Sequence, residues 1–177
     1  MKLTKNFNTV TDPKITGGIK WNDYPFKENA QKLADIAQTI RDYLNCPVTV
    51  SSGYRSQSKN SKTPGASKTS QHLHGEALDL TPDCLDSDGL DDLFLALVEG
   101  RIKLPHPTSQ IIRESNGKGG EWLHIGIKTH RWLEYCKAKL NATGKAKFSK
   151  RLTHCEYLVT NDTRVYNVVA YRLYSEV

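Results

Sequence analysis

Residues 76–80 read Glu-Ala-Leu-Asp-Leu, and the aspartate is the constraint. Alternate side chains of a strand share a face, so Leu78 and Leu80 go to one side and Asp79 goes with small Ala77 to the other. A carboxylate set between leucines is costly to bury unless something positive meets it, either a metal ion or an arginine. Ala77 leaves room for such a partner. Gly75 permits a sharp turn just before the strand, so a histidine of Ser70-Gln71-His72-Leu73-His74 can fold back over Asp79. Two histidines, His72 and His74, compete for that place.

A second strand-like run, Glu121 to Ile127, carries Trp122, His124 and Gly126 on one face and Leu123, Ile125 and Ile127 on the other. A lone strand histidine is more often structural than a ligand. Beside a buried aspartate and a histidine-bearing turn, His124 becomes a candidate third ligand. A catalytic zinc takes three such side chains and keeps a fourth position open for water. The helical HEXXH solution is absent, so the ligands must come from loops and strands.

Around these runs the periodicity predicts helices over Glu28–Leu44, Asp88–Glu99 and His130–Leu140. It predicts short strands over Val48–Ser51 and Ser109–Glu114, the latter joined to Glu121–Ile127 as an antiparallel hairpin through SNGKGG. Residues 56–70, polar with a Pro-Gly pair, read as a loop. Asn141 to Lys150 is a polar connector, and residues 154–174 read as a hairpin about Asn161-Asp162. Helices and strands do not alternate in a βαβ rhythm, which predicts an α+β fold, a small antiparallel sheet flanked by helices. At 177 residues the chain suits one core rather than two.

The net charge of +6 suits a polyanionic partner or a solvated basic surface. The basic residues are dispersed except between Lys128 and Arg151, and no finger, RNP-like or basic-heptad pattern accompanies them, so no nucleic-acid partner is expected. No run is apolar enough to span a bilayer, and no export signal is visible behind Met1, so the expectation is synthesis in the cytoplasm and no membrane partner. Cys46, Cys84, Cys136 and Cys155 never form CxxC, and reduced, packed thiols are expected.

Ser70-x-His72-x-x-Gly75-x-Ala77-x-Asp79, the downstream Glu121-Trp122-Leu123-His124 and the upstream Ser52-Gly53-Tyr54-Arg55-Ser56 together resemble the zinc D-alanyl-D-alanine metallopeptidase family. That family shares its fold with the Hedgehog signalling domain. The resemblance covers roughly residues Leu3 to Ile127, most closely the branch found in phages and bacterial envelope enzymes. It implies zinc held by His72, Asp79 and His124, with His74 outside the shell. Glu121 would be the general base that activates water and passes the proton to the leaving amine. Arg55 would stabilise the oxyanion or hold a substrate carboxylate. Ser70, Tyr54 and Trp122 are candidate substrate contacts, Trp122 also a packing residue over the site. His106, His130 and His154 are read as lying outside the metal shell.

One physical condition attaches to the base. Glu121 and His124 differ by an odd number and face opposite sides of a regular strand, so Glu121 must lie before the strand straightens, at a bend allowed by Gly119-Gly120. Otherwise Glu114 or a histidine is the candidate.

The resemblance implies a zinc peptidase domain over residues 1–140, with residues 141–177 a C-terminal extension. The expected activity is hydrolysis of peptide bonds in peptidoglycan stem peptides. The enzyme would be a D,D-carboxypeptidase or an L-Ala-D-Glu-type endopeptidase, acting as a monomer, either as a phage lysin released to the cell wall or carried in a virion, or as a bacterial cytoplasmic enzyme acting on precursors or recycled fragments. The rival reading is a non-catalytic, zinc-containing Hedgehog-like binding module, from which a retained base and Arg55 would separate it.

Overall fold

The structure is a computed structural model. It describes residues 1–64, 66–116 and 118–127, and the backbone of three later strands, residues 132–140, 146–147 and 171–174. Helix α1 spans Lys27–Leu44, and Ala30, Leu33, Ala34, Ile36, Ala37 and Ile40 form its buried stripe. That is the stripe its 3.6-residue period requires. Asn45 stops the helix in a left-handed conformation and donates its N–H to the Asp42 carbonyl. Tyr43, which falls at an apolar position of that period, is exposed. Strand β1 (Val48–Ser52) follows. The span 56–70, expected as a loop, then opens with the short helix α2 (Gln57–Ser61), which the Ser56 side chain nucleates by accepting from the Lys59 N–H. A 3-10 turn, Gln71–His74, leads into β2 (Ala77–Pro82). Helix α3 (Ser87–Val98) is capped by Asp86, whose carboxylate accepts from the Gly89 N–H.

Strands β3 (Gln110–Ser115) and β4 (Glu121–Gly126) form the expected hairpin. Its turn is closed by Asn116, whose Oδ1 accepts from the Lys118 and Gly120 N–H groups. The core sheet is antiparallel in the order β1-β2-β4-β3, and the fold is α+β. Leu78 and Leu80 of β2, Ile111 of β3 and Leu123 and Ile125 of β4 pack in one apolar cluster with α1 and α3. Phe7, Ile15 and Tyr24 of the N-terminal segment complete it. The alternate residues, Asp79, His124, Trp122 and Glu114, turn to the other face. Among the described residues no helix is long and apolar enough to cross a membrane.

Further expectations need correction, among them the polar connector over residues 141–150, which contains a short strand, Ala146–Lys147. The helix expected over His130–Leu140 is strand β5 (Trp132–Leu140), which lies parallel to β3 with Ile112 opposite Cys136. β3 offers an unpaired edge there, and pairing with it outweighs a local pattern that a single sequence reads as helical. Strands β6 (Ala146–Lys147) and β7 (Tyr171–Tyr174) each pair with β5 antiparallel. The turn expected at Asn161-Asp162, with His130 and His154, lies outside the described residues.

A further correction concerns the cysteines. Cys46 and Cys84 form a disulfide. The β1–β2 register pairs Val48 with Pro82, and two steps further out in the same antiparallel register Cys46 meets Cys84. Their Cα atoms are 6.2 Å apart, within bonding range. The bond extends the ladder beyond the rung in which the Asp83 N–H donates to the Pro47 carbonyl at 2.9 Å.

Candidate metal centre

His72, Asp79 and His124 come together in the structure. All three are buried, and one ligating atom from each lies within 4.8 Å of the others. Asp79 stands opposite His124 in the β2–β4 register, and His124 Nδ1 is 2.9 Å from Asp79 Oδ1. His72 arrives from the 3-10 turn. Gly75 ends that turn at φ +60°, in the left-handed region, and a Cβ there would run into Tyr24 and Phe26. The turn is therefore a position for glycine on two counts. His72 Nε2 lies 3.2 Å from the same Asp79 Oδ1. His74 is exposed on the far side of the turn, so the competition between the two histidines is resolved by which one the turn buries.

The ring of His72 is oriented from behind. Its Nδ1 lies 2.7 Å from the Gly53 carbonyl oxygen. A carbonyl can only accept, so Nδ1 carries the proton and a neutral ring turns the Nε2 lone pair toward the site. That lone pair then faces a carboxylate oxygen, which is also an acceptor. Two acceptors 3.2 Å apart are compatible only with a cation between them, a proton or a metal ion. Two imidazoles and one carboxylate, with one imidazole held by a carbonyl, suit zinc. Burial alone would raise the Asp79 carboxyl. When the cation between them is a proton, the charges of His72 and His124 and the hydrogen bonds from both outweigh burial and hold it well below the usual carboxylate range.

Arg55 also reaches Asp79. Its Nη2 is 2.7 Å from Oδ2, the oxygen the histidines leave, and its Nε donates to Ser52 Oγ at 2.9 Å. The guanidinium thereby fixes the ligand carboxylate, in addition to any part it takes with substrate. Ser70 and Tyr54 have local partners. Ser70 Oγ accepts from the His72 N–H and caps the turn. Tyr54 packs its ring on Tyr24 and Phe26, with centroids 5.7 and 5.6 Å away.

Glu121 does not join the metal ligands. It lies within regular β4, so three residues before His124 places it on the opposite face, as parity requires. Its Oε2 is 2.8 Å from Arg113 Nη2, and its Oε1 accepts from Ser87 Oγ at 3.3 Å. Gly119 takes up its positive φ ahead of the strand, so no bend remains at Glu121. Arg113 is buried and draws Glu121, Asp91 and Ser87 together while donating to the Glu114 carbonyl at 2.9 Å. This network ties the β3–β4 hairpin to the first turn of α3.

The carboxylate on the metal face is Glu114. It stands opposite Trp122, and Ile112, two residues before it, stands opposite His124. The Trp122 indole N–H donates to Glu114 Oε2 at 2.5 Å. Burial, and next the charge of Asp79, push the Glu114 carboxyl above the usual range, against the opposing effects of His124, Trp122 and Arg55. Glu114 is thus within electrostatic reach of Asp79, His124 and Arg55. The signal for it lay in the turn: a hairpin closed at Asn116 and Gly120 sets Glu114 opposite Trp122 by register alone.

A family model described as peptidase M15 matches residues 2–94, more than half of the chain. The matched span holds Arg55, His72 and Asp79 and ends inside α3, before Glu114 and His124. No curated protein is significantly similar to the chain.

Proposed function

Because the chain belongs to the peptidase M15 family, we infer that it is a zinc peptidase that hydrolyses peptide bonds in peptidoglycan stem peptides. The observation that carries this reading is the His72–Asp79–His124 donor set, with His72 held by the Gly53 carbonyl so that its free lone pair faces Asp79. Zinc held there supplies a Lewis acid for the scissile carbonyl and for water.

The other steps belong to the protein. Glu114 is the general base: its carboxylate takes a proton from the attacking water and returns it to the leaving amine nitrogen. The Trp122 N–H holds Oε2, which leaves Oε1 to carry that proton. Arg55 stays fixed on Asp79 Oδ2 and places a permanent positive charge beside the position where the tetrahedral oxyanion develops. Partial burial of Trp122 over Glu114 limits bulk water at the base. Glu121 takes no part in proton transfer and instead braces the hairpin through Arg113.

A basic, monomeric enzyme of this kind fits an anionic cell wall as its place of action, either as a lysin or as a bacterial wall enzyme. The test is mass spectrometry of purified peptidoglycan incubated with the zinc-loaded protein, with and without a chelator. Release of D-alanine alone identifies a carboxypeptidase, and release of stem peptides or cross-linked pieces identifies an endopeptidase. No chelator-sensitive product from several wall types would favour a binding module and contradict the peptidase reading.

A further inference from the structure

Between Asp42 and Glu76 the chain contains no acidic residue, yet this stretch carries Arg55, Lys59, Lys62 and Lys68. The structure shows where those charges go. The chain leaves the metal centre at Arg55 and returns to it at His72, and the two ends are joined by the Arg55 N–H donating to the His72 carbonyl at 3.0 Å. Between them Ser56 caps α2, and buried Asn60 at the end of that helix donates from Nδ2 to the Ser67 carbonyl at 2.9 Å. That bond draws the returning strand of the excursion onto α2. Lys59, beside Asn60, and Lys68, beside Ser67, are therefore brought to the same rim, with Lys62 one helical turn beyond Lys59.

All three lysines are exposed. Among the described residues none of their ammonium groups meets a carboxylate within ion-pair distance, whereas Lys32 bridges Glu28 and Arg101 bridges Glu99. Lys59 is four residues from Arg55 and Lys68 four from His72, so chain geometry keeps each within about 14 Å of its end of the excursion. An extended peptide of four or five residues spans about the same distance. Charges on the substrate peptide itself can therefore reach the rim while its scissile bond lies at the metal.

We propose that the Arg55–His72 excursion is a specificity rim that selects peptides bearing free carboxylates within about four or five residues of the scissile bond over the same peptides with those groups amidated. This rests on the peptidase reading and adds the chemical class of the preferred substrate. With no acid in the excursion, the lysine fields add rather than cancel, and they act at ranges comparable to the Debye length of about 8 Å at physiological salt.

The test is a binding titration of a stem peptide with free carboxylates, and of its fully amidated counterpart, to zinc-loaded Glu114→Gln protein, in which turnover is slowed by about 10²–10⁴. The background is repeated with Lys59→Gln, Lys62→Gln and Lys68→Gln combined; all three side chains are exposed, so the fold is retained. The expected result is a preference of about tenfold for the free-acid peptide at low salt, fading as salt is raised and lost in the triple variant. In the otherwise native protein, the triple variant should raise KM for the acidic peptide and leave kcat on the amidated one unchanged. Equal binding of the two peptides, or a preference that survives the triple substitution, would overturn the proposal. So would competition by poly(glycerol phosphate) without any preference between the peptides, which would make the rim a phosphate-polymer surface. A preference without cleavage of either peptide by the native enzyme would support the rim and contradict the peptidase reading, so the two failures are distinguishable.

Discussion

Glu114 and Trp122 face each other across β3 and β4, and the indole N–H of one donates to the carboxylate of the other at 2.5 Å. This pair shares a face with His124, while Glu121, the acid at the three-residue spacing, is turned to the opposite face and bound to Arg113. The two glutamates of one hairpin therefore have different surroundings, and substitution separates the tasks proposed for them.

Metal binding should depend on His72 and not on His74. His72→Ala should lose zinc, and His74→Ala should retain one ion per chain, as read by elemental analysis after gel filtration. Gly53→Ala should also weaken zinc, by about 10–100-fold. A Cβ at that position meets the backbone of Lys14 and Ile15, and the carbonyl that orients His72 must shift. Unchanged zinc affinity in Gly53→Ala would show that the carbonyl is not needed to aim the ring.

Arg113 is a stability residue. It is buried and touches Asp91, Ser87, Glu121 and the Glu114 carbonyl. Arg113→Met should cost about 3 kcal/mol in chemical denaturation, since it leaves partly buried acids without their cation. Glu121→Gln should cost only about 1 kcal/mol, because that carboxylate is partly solvated.

The disulfide closes a loop with a sequence separation of 38 that contains Arg55, His72 and Asp79. Loop-closure entropy for such a length gives about 4 kcal/mol of stabilisation. Cys46→Ser combined with Cys84→Ser should lower the melting temperature markedly, and reductant should have the same effect on the native protein. Equal melting temperatures would mean that the bond does not form in solution.

Stability against pH should expose Glu114 in the metal-free protein. Its folded-state carboxyl is raised above the ordinary 4.5, so the folded state binds a proton more tightly than the unfolded state does. The ionised group therefore costs stability, and that cost grows as pH rises through the ordinary value and levels off above the raised one. Metal-free Glu114→Gln should be more stable than the native protein at neutral pH, with the advantage shrinking as pH falls below the ordinary glutamate range. Thermal melts across pH check the sign. A variant destabilised at neutral pH would show that the carboxylate is a net stabilising group.

Helix α1, helix α3 and the β3–β4 hairpin were legible in the sequence because each carries its own period and its own stop: Asn45 after α1, Asp86 before α3, Asn116 in the turn. Asp79 was legible as a buried charge because strand parity sets it against Leu78 and Leu80. What was not legible depends on contacts between distant segments. The Cys46–Cys84 bond follows from the β1–β2 register, and neither strand specifies its partner. Residues 132–140 become a strand because β3 has an edge to fill. Glu121 was singled out by its spacing to His124, and the condition of a bend before the strand is not met, because Glu121 lies within regular β4 and pairs with Arg113. Register, rather than spacing to the ligand, brings Glu114 to the face of the metal ligands.

The most direct measurement is turnover of one stem peptide by Glu114→Gln and Glu121→Gln, each with its zinc content determined on the same sample. Glu114→Gln should keep its zinc and lose about 10²–10⁴ in kcat, while Glu121→Gln keeps both zinc and kcat to within a small factor. Loss of kcat in Glu121→Gln with full zinc and a native melting temperature, and normal turnover in Glu114→Gln, would contradict the account.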